Sequence, residues 1–366
     1  MKRTSDNMHI DLKGMTIPEL RVFMEAIGEP PYRATQIFYW LYNRGVSEFD
    51  SMTDLFRTLR ARLAEVARIG SIAIVRTRVS SIDRTTKFLF RLSDGLTIES
   101  VLIPPNPKGY GEEGKRLTLC ISTQVGCPLD CVFCATGSMG FQRNLTTGEI
   151  IDQVLHARRL SSKKITNLVI MGMGEPLLNY DNVMKAIDII SHERSIGISA
   201  KKTTLSTAGY VEYIKRMADE RRKCKLAISL HSVDNRVRST LMPITKKHTV
   251  EDILHAVEYY YKRTRQRITY EYILFDGIND CDVDITRLIA FVRRVPSKIN
   301  LIPFHTIDFV HPKGFASSLH PTPAVRMEDF AQKLREANVT VIIRSSAGED
   351  IEAACGQLAA VQKKDE

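Results

Sequence analysis

The spacing of apolar residues changes repeatedly from about residue 116 onward. Short runs rich in β-branched and apolar residues predict strands, and segments with apolar positions three and four apart predict amphipathic helices between them. The predicted strands cover residues 116–123, 165–171, 201–207, 225–231, 267–275, 298–305 and 339–345. The predicted helices cover residues 147–160, 180–192, 209–220, 249–264, 283–295 and 325–337.

This alternation predicts an α/β fold with a parallel sheet, either open and doubly wound or closed as a barrel. In the first helix, Ile150, Val154 and Leu155 fall on one side, as a helix with one buried face requires. Both architectures bind their ligands at the carboxyl ends of the strands. The chemistry of residues 116–346 is therefore expected at those strand ends.

Residues 1–92 follow a different pattern and predict a separate module. Helical spacing recurs three times before residue 67, and residues 71–104 alternate in the manner of β-hairpins. A loop rich in glycine and charge, residues 105–115, marks the expected domain boundary. The expected parts are an accessory helical and β module at 1–92, a linker strand and loop at 93–115, the strand–helix repeats at 116–346 and a C-terminal segment at 347–366.

The net charge of +10 and the isoelectric point near 9.2 bear on the kind of partner. Nine Lys or Arg against two acidic residues lie between Arg57 and Arg91, and further basic clusters lie at 221–225 and 262–267. Basic patches on several segments favour a polyanionic partner such as RNA, and the alternative is a general contribution to solubility. Composition does not separate RNA from DNA.

Neither a signal peptide nor a membrane span is expected. The first residues lack the apolar stretch of a secretory signal, and no apolar run approaches the roughly 20 residues that cross a bilayer. The predicted location is the cytoplasm, where clustered thiols bind metals or act in catalysis more often than they form structural disulfides. The seven cysteines therefore indicate chemistry rather than cross-links.

Three cysteines, Cys127, Cys131 and Cys134, have the spacing Cys-x3-Cys-x2-Cys on a loop that follows the first predicted strand of the repeats. A structural zinc ion takes four protein ligands, and a ferredoxin-type cluster is held by four cysteines. A cluster held by three cysteines would leave one iron open to chelate a substrate or cofactor. The alternatives are a zinc site completed by a remote Cys or His, and buried thiols without a metal.

This motif, with Phe133 before its last cysteine, resembles that of the radical S-adenosylmethionine enzymes. Residues 171–176 and the ends of later strands resemble the segments that bind the cofactor in that family. The resemblance implies a partial (βα)6 barrel and one [4Fe-4S] cluster on Cys127, Cys131 and Cys134. It also implies that S-adenosylmethionine is bound by Gly174, Glu175, Ser206, Ser229, Leu230, His231 and Asn300. Considered separately, residues 171–176 are also typical of a strand-end turn, Ser206 of a helix N-cap and Asn300 of a buried structural amide.

A closer resemblance covers nearly the whole chain. Residues 120–145 and 349–359, with 30–42 near the start, resemble the RlmN/Cfr family of RNA methyltransferases. These enzymes methylate carbon 2 (RlmN) or carbon 8 (Cfr) of an adenosine in 23S ribosomal RNA, and RlmN also acts on the adenosine next to the tRNA anticodon. The resemblance implies 23S rRNA and tRNA as partners, flavodoxin or ferredoxin as electron donor, no membrane and a monomer.

The resemblance also implies roles for three residues outside the cluster. Cys355 takes a methyl group from a first S-adenosylmethionine, and a radical from a second one removes a hydrogen from that methyl, which then adds to adenine. Glu99 is the candidate acceptor of the ring proton. Cys120 attacks the sulfur of Cys355, which releases methylated RNA and leaves a disulfide that reductants reopen. Without the resemblance, Glu99 is an ordinary strand carboxylate and Cys355 a small apolar residue in an alanine-rich turn.

Two alternatives to carbon-2 methylation stay open. Residues 123–131 and the N-terminal module follow the RlmN pattern, which favours carbon 2 over Cfr-type carbon 8. A remote alternative of another class is a non-catalytic, zinc-binding RNA adaptor. That adaptor would be colourless, whereas a cluster protein purified without air is brown.

Overall fold

The computed structural model describes residues 9–105 and 115–360. Most of the loop expected as a domain boundary lies outside these ranges, as do residues 361–366 of the expected C-terminal segment. Within the two described ranges, no helix has the length and apolar character needed to cross a membrane.

The N-terminal module contains the three helices that the sequence predicts, α1 (Ile17–Ala26), α2 (Arg33–Tyr39) and α3 (Arg57–Val66). Thr16 and Glu19 form a capping box at the start of α1. Strands β1 (Ile10–Asp11) and β2 (Ala67–Arg68) pair in parallel and close the module. The sequence did not predict them, because two-residue strands carry no periodicity.

An antiparallel extension follows, made of β3 (Ala73–Val79), β4 (Thr86–Arg91), β5 (Thr97–Ile103) and β6 (Thr118–Cys120). The strand expected as a linker is β5, and the structure places it inside the sheet between β4 and β6. Val101 of β5 pairs with Cys120 of β6. The extension and the repeats therefore share one continuous sheet.

The segment after β6 forms a small hairpin around the three-cysteine motif, and the sequence did not predict it. Strands β7 (Gln124–Gly126) and β8 (Phe141–Asn144) pair antiparallel, and the short helix α4 (Ala135–Ser138) follows Cys134. The hairpin holds the two ends of the cysteine loop together.

The strand–helix repeats are confirmed. Their strands are β9 (Asn167–Ile170), β10 (Thr203–Thr207), β11 (Lys225–Ser229), β12 (Ile268–Leu274), β13 (Ser297–Pro303) and β14 (Val341–Ile343). Their helices are α5 (Thr147–Leu160), α6 (Tyr180–Ser191), α7 (Val211–Asp219), α8 (Asn235–Leu241), α9 (Val250–Thr264), α10 (Asp282–Val292) and α11 (Ala324–Glu336). Only α8 lies outside the predicted helices.

The order of the ten-stranded sheet is β14-β13-β12-β11-β10-β9-β6-β5-β4-β3, and β6 and β9 to β14 are parallel. The parallel strands follow one another without the reversal of order that defines a doubly wound sheet. The sheet stays open between β14 and β6. This is the partial barrel that the sequence predicts, and its strands all end at the same edge.

Candidate active site

The cysteine loop is fixed by the β7–β8 hairpin. Gly126 has a φ of 72°, and a Cβ there would lie 1.7 Å from the carbonyl oxygen of Gly140. The backbone N–H of Cys127 donates to that same carbonyl at 3.0 Å. Only glycine fits such a turn, because any side chain would collide with backbone. The hairpin therefore presents the three-cysteine loop at the carboxyl ends of the strands.

Cys127, Cys131 and Cys134 line one cavity. Burial raises the pKa of Cys127 to about 12 and that of Cys131 well above its usual value, and repulsion by the neighbouring thiolates adds to both shifts. Thiolates in such surroundings need a bound cation to stay ionised. Within residues 9–105 and 115–360, no three His, Cys, Asp or Glu side chains converge on a single-ion site. Three cysteines that line one cavity would hold an iron–sulfur cluster through three of its irons.

Gly174 and Glu175 lie on the opposite wall of this cavity. Gly174 has a φ of 101°, and a Cβ there would lie 2.5 Å from the side chain of Gln124. The buried Glu175 carboxylate accepts N–H bonds from Leu177 at 3.0 Å and Ala208 at 2.8 Å. Burial raises its pKa to about 7, against the effect of those bonds. Glu175 thus links the segment after β9 to the end of β10, and both Gly174 and Glu175 line the cavity.

The ends of β10 and β11 supply three more polar residues to the wall, Ser206, Ser229 and His231. The hydroxyls of Ser206 and Ser229 lie 3.3 Å apart. Nδ1 of His231 accepts the N–H of Ile273 at 3.0 Å, and burial lowers the pKa of His231 to about 3, so the ring is neutral. These predicted residues meet at one wall, as the parallel strands require.

Leu230 and Asn300 are buried and do not line the cavity. The amide of Asn300 donates to Glu271 at 2.9 Å, and Glu271 is the carboxylate that β12 contributes to the wall, next to the apolar Ile273. The second carboxylate oxygen of Glu271 is buried, has no hydrogen-bond partner among the residues that the structure describes, and lies 3.9 Å from the guanidinium of Arg344. Sequence reasoning missed Glu271, although a lone carboxylate in an apolar strand is a signal of function.

Cys120 and Cys355 line a second cavity next to the first, and both thiols are free. Cys355 also borders the three-cysteine cavity, and it is exposed, whereas Cys120 is buried. Burial raises the pKa of Cys120 to about 12. The surrounding protein atoms also raise the pKa of Cys355 by displacing water from around the thiol, and the nearby Arg344 lowers both pKa values. The structure therefore brings together the two thiols that the sequence placed 235 positions apart.

Glu99 does not line either of these cavities. Its carboxylate pairs with Lys87 at 3.1 Å and accepts the N–H of Ala359 at 3.0 Å. It borders a third cavity, which it shares with Arg76, Arg78 and the far side of the C-terminal segment. In this conformation the segment that carries Cys355 separates Glu99 from the Cys355 sulfur.

The C-terminal segment also rests on the cysteine loop. The carbonyl of Gly356 accepts the N–H of Ala135 at 2.7 Å, and the carbonyl of Leu358 accepts the hydroxyl of Thr136. A Cβ at Gly356, which has a φ of 85°, would lie 3.2 Å from the carbonyl of Phe133. This close backbone approach sets Cys355 directly beside the three-cysteine loop.

Two of the predicted basic clusters lie far from these cavities. Lys225 begins β11, and residues 262–267 precede β12, so both clusters lie at the amino ends of the strands. Arg222 and Arg263 are engaged in ion pairs with acidic side chains there. The third basic stretch, residues 57–91, is divided. Its first part lies in α3 and β2, whereas Arg76, Arg78 and Lys87 of β3 and β4 border the same cavity as Glu99.

Comparison with known proteins gives matches over the whole chain. The radical SAM superfamily model matches residues 121–289, and that of the ribosomal RNA large subunit methyltransferase N-terminal domain matches residues 10–69. The probable dual-specificity RNA methyltransferase RlmN of Salinibacter ruber is 42% identical over 357 residues, which cover 96% of this chain and 94% of that protein. The dual-specificity RNA methyltransferase RlmN of Halorhodospira halophila is 42% identical over 351 residues, with 95% and 93% covered. The crystal structure of a radical SAM methyltransferase from Sphaerobacter thermophilus superposes with a TM-score of 0.86 at 38% identity, covering 96% of this chain and 100% of that one.

Proposed function

Because this chain belongs to the RlmN family of radical S-adenosylmethionine RNA methyltransferases, we propose that it methylates carbon 2 of an adenosine in 23S ribosomal RNA. In tRNA the proposed target is the adenosine 3′ of the anticodon. The observation that supports this most strongly is the position of Cys355, which borders the three-cysteine cavity and shares a second cavity with Cys120.

The family uses a [4Fe-4S] cluster and S-adenosylmethionine. Cys127, Cys131 and Cys134 are the residues that would hold the cluster, and the wall formed by Gly174, Glu175, the serines of β10 and β11 and His231 would hold S-adenosylmethionine. When bound, the cluster supplies the electron that cleaves S-adenosylmethionine to a 5′-deoxyadenosyl radical. The proposed role of Asn300 is to orient Glu271, since its amide is already bonded to that carboxylate. Leu230, whose backbone N–H donates to the carbonyl of Glu271 at 3.0 Å, would support this wall without touching the cofactor.

Cys355 is the proposed methyl carrier. Its thiolate takes the methyl group of one S-adenosylmethionine, with S-adenosylhomocysteine as the leaving product, so that two S-adenosylmethionine molecules are used per turnover. Arg344, which lowers the pKa of Cys355, favours the reactive thiolate. Its location between two cavities lets Cys355 face S-adenosylmethionine on one side and Cys120 on the other.

Cys120 is the proposed resolving thiol. Its thiolate attacks the sulfur of Cys355, a disulfide forms, and the bond between that sulfur and the transferred carbon breaks. The electron pair of the broken bond stays with the transferred carbon, which takes a proton to become the methyl group of the adenosine. The unpaired electron of the radical adduct has to leave at this stage, and the cluster, oxidised when S-adenosylmethionine was cleaved, would be its acceptor. A two-electron reductant then restores both thiols for the next turnover.

Glu99 is the proposed acceptor of the proton from the adenine ring. In the conformation described, the C-terminal segment lies between Glu99 and Cys355. The proposal therefore requires this segment to shift when RNA enters. The third cavity, with Arg76 and Arg78 on its wall, supports entry from that side, because these cations attract the phosphates of RNA.

We further propose a flavodoxin or ferredoxin as electron donor, a monomer as the working form and the cytoplasm as the location, where ribosomal and transfer RNA are found. Low-potential one-electron carriers of this kind suit the reduction of an iron–sulfur cluster.

The deciding experiment is methylation of unmodified RNA under anaerobic conditions. The iron-loaded protein is incubated with a 23S rRNA fragment or tRNA, S-adenosylmethionine and reductant, and the nucleosides are identified by mass spectrometry against 2-methyladenosine and 8-methyladenosine standards. We expect 2-methyladenosine, and we expect none with Cys355→Ala. A product of 8-methyladenosine would establish the Cfr-type alternative. A colourless protein with zinc, without methylation, would establish the adaptor.

A further inference from the structure

The C-terminal segment that carries Cys355 is tied to the extension by side chains of β3 to β5 and the turn between β3 and β4. Along the segment, the tied groups are Gly348, Asp350, Glu352 and Ala359. Gly348 donates to Asp83 at 2.9 Å, and Asp350 accepts the N–H of Ser81 at 3.0 Å. Glu352 accepts from Arg78 at 3.0 Å and from Lys87 at 3.0 Å, and the N–H of Ala359 donates to Glu99 at 3.0 Å. The extension is thus the support on which the segment is laid.

Lys87 and Glu99 differ from the other residues that hold the segment because their side chains are buried. Their side chains are 8% and 6% exposed and lie 3.1 Å apart. Lys87 donates to the carbonyl of Glu352, three residues before Cys355, and Glu99 accepts from the N–H of Ala359, four residues after it. One buried ion pair therefore holds the segment on both sides of Cys355.

Two of the other contacts contribute less to the positioning of Cys355. The Ser81–Asp350 contact is exposed, and the Arg78–Glu352 pair is 37% and 25% exposed, so water screens both. A charged hydrogen bond away from water is stronger, and a buried charge that loses its partner is strongly destabilised. We therefore expect the position of Cys355 to depend on the buried Lys87–Glu99 pair more than on these two exposed contacts.

We propose that Lys87 is a positioning residue of the methyl transfer. Its ammonium pairs with the Glu99 carboxylate that accepts the Ala359 N–H, and it donates directly to the Glu352 carbonyl, so that it holds Cys355 at the junction of the two cavities. The proposal deepens the proposed function, since positioning matters for the reaction only if the methyl group passes through Cys355.

The test compares hydrogen exchange and methyl loading in the iron-loaded full chain. Lys87→Met removes the charge and keeps the length of the side chain, and Lys87→Arg restores a cation. With Lys87→Met, we expect amide exchange of the peptide covering residues 353–360 to rise by about tenfold or more, as loss of a charged hydrogen bond implies. Loading of the Cys355 peptide with methyl from S-adenosylmethionine, followed by mass spectrometry, is expected to slow in parallel. Lys87→Arg should recover much of both.

Lys13→Met is the matched control. Lys13 forms another buried ion pair, 2.6 Å from Asp152, with both side chains 3% exposed. Asp152 lies in α5 and accepts the N–H of Ile72, so this pair supports the N-terminal module instead of the Cys355 segment. Its loss is expected to lower the melting temperature and to leave the exchange of residues 353–360 near the wild-type rate.

Two results would overturn the role of Lys87. One is wild-type exchange of residues 353–360 in Lys87→Met, and the other is an equal rise in both methionine variants, which would indicate general destabilisation. If the proposed function were wrong, the result would differ. Wild-type Cys355 would then carry no methyl group, but amide exchange of residues 353–360 would still rise in Lys87→Met and not in Lys13→Met.

Discussion

At the scale of single residues, the proposed reaction depends on how easily two thiols, Cys355 and Cys120, ionise. Displacement of water from around the thiols opposes ionisation of Cys355 and Cys120, and Arg344 is the cation that favours it in both. Arg344 follows β14 and lies near Glu271 of β12, so three separate segments meet at this point. The cysteine spacing could be predicted because the three ligands are neighbours in sequence. The contacts of Arg344, Glu271 and Lys87 could not, because their partners are remote in sequence.

We predict that Arg344→Met slows the methylation of Cys355 at neutral pH. Arg344 lowers the pKa of Cys355, so without it the thiol titrates at a higher pH and less thiolate is present at pH 7. A shift of one unit gives about a tenfold loss of rate below the pKa, and the rate should recover as pH rises. The measurement is the rate of methyl loading of Cys355 against pH. A profile that matches the wild type would contradict this role, and Arg344→Lys should fall between the two.

A second prediction concerns the turn before the cysteine loop. Gly126→Ala places a Cβ 1.7 Å from the Gly140 carbonyl, so the hairpin has to open, and we expect loss of bound iron and of absorbance near 400 nm. Gly140→Ala is the control, because Gly140 also has a positive φ, 67°, but nothing lies within 4 Å of its added Cβ. It should keep most of its iron at a cost of about 1–2 kcal/mol in stability. Equal iron content in both variants would refute the steric argument.

At the scale of elements, periodic segments with caps were predicted well and short strands were not. Helix α5 begins and ends where its apolar spacing indicates, and Thr146 and Glu149 form a capping box at its start. The β7–β8 hairpin has strands of three and four residues, too short to show an apolar pattern, and the N–H of Cys127 closes it onto the carbonyl of Gly140. Local sequence therefore predicted the helices and longer strands of the repeats, but it did not predict the β7–β8 hairpin that fixes the cysteine loop.

The cap of α5 gives a prediction at this scale. Thr146→Ala removes the hydroxyl that accepts the N–H of Glu149, and we expect the folded state to lose about 1 kcal/mol. The cap is exposed and does not line the cavities described, so methylation of Cys355 should keep its rate. Thermal unfolding of the iron-loaded protein measures the first effect. Thr146→Ser, which keeps the hydroxyl, should restore the lost stability.

At the scale of the whole molecule, the repeats predicted parallel strands but left a doubly wound sheet and a barrel open. In the structure each parallel strand lies beside the one before it, without the reversal of a doubly wound sheet. The sequence did not indicate that β5 pairs with β6 and joins the extension to the barrel. That pairing has a functional consequence, since it brings Lys87 and Glu99 against a segment more than 250 residues later in the chain. The basic clusters are also separated at this scale, because two lie at the amino ends of the strands and part of the third lies beside the active site.

The separation predicts which cations bind RNA. Arg76 lies on the wall of the cavity beside Glu99, whereas Lys262 is exposed near the end of α9, at the amino ends of the strands. We expect Arg76→Gln to weaken binding of a 23S rRNA fragment and to reduce the slope of log affinity against log salt by about one, as loss of one phosphate contact implies. Lys262→Gln removes the same charge and should leave both quantities near wild type. Binding measured over a series of salt concentrations separates the two sites. If Lys262→Gln weakened RNA binding and Arg76→Gln did not, RNA would dock on the opposite face, and the route past Glu99 to Cys355 would have to be abandoned.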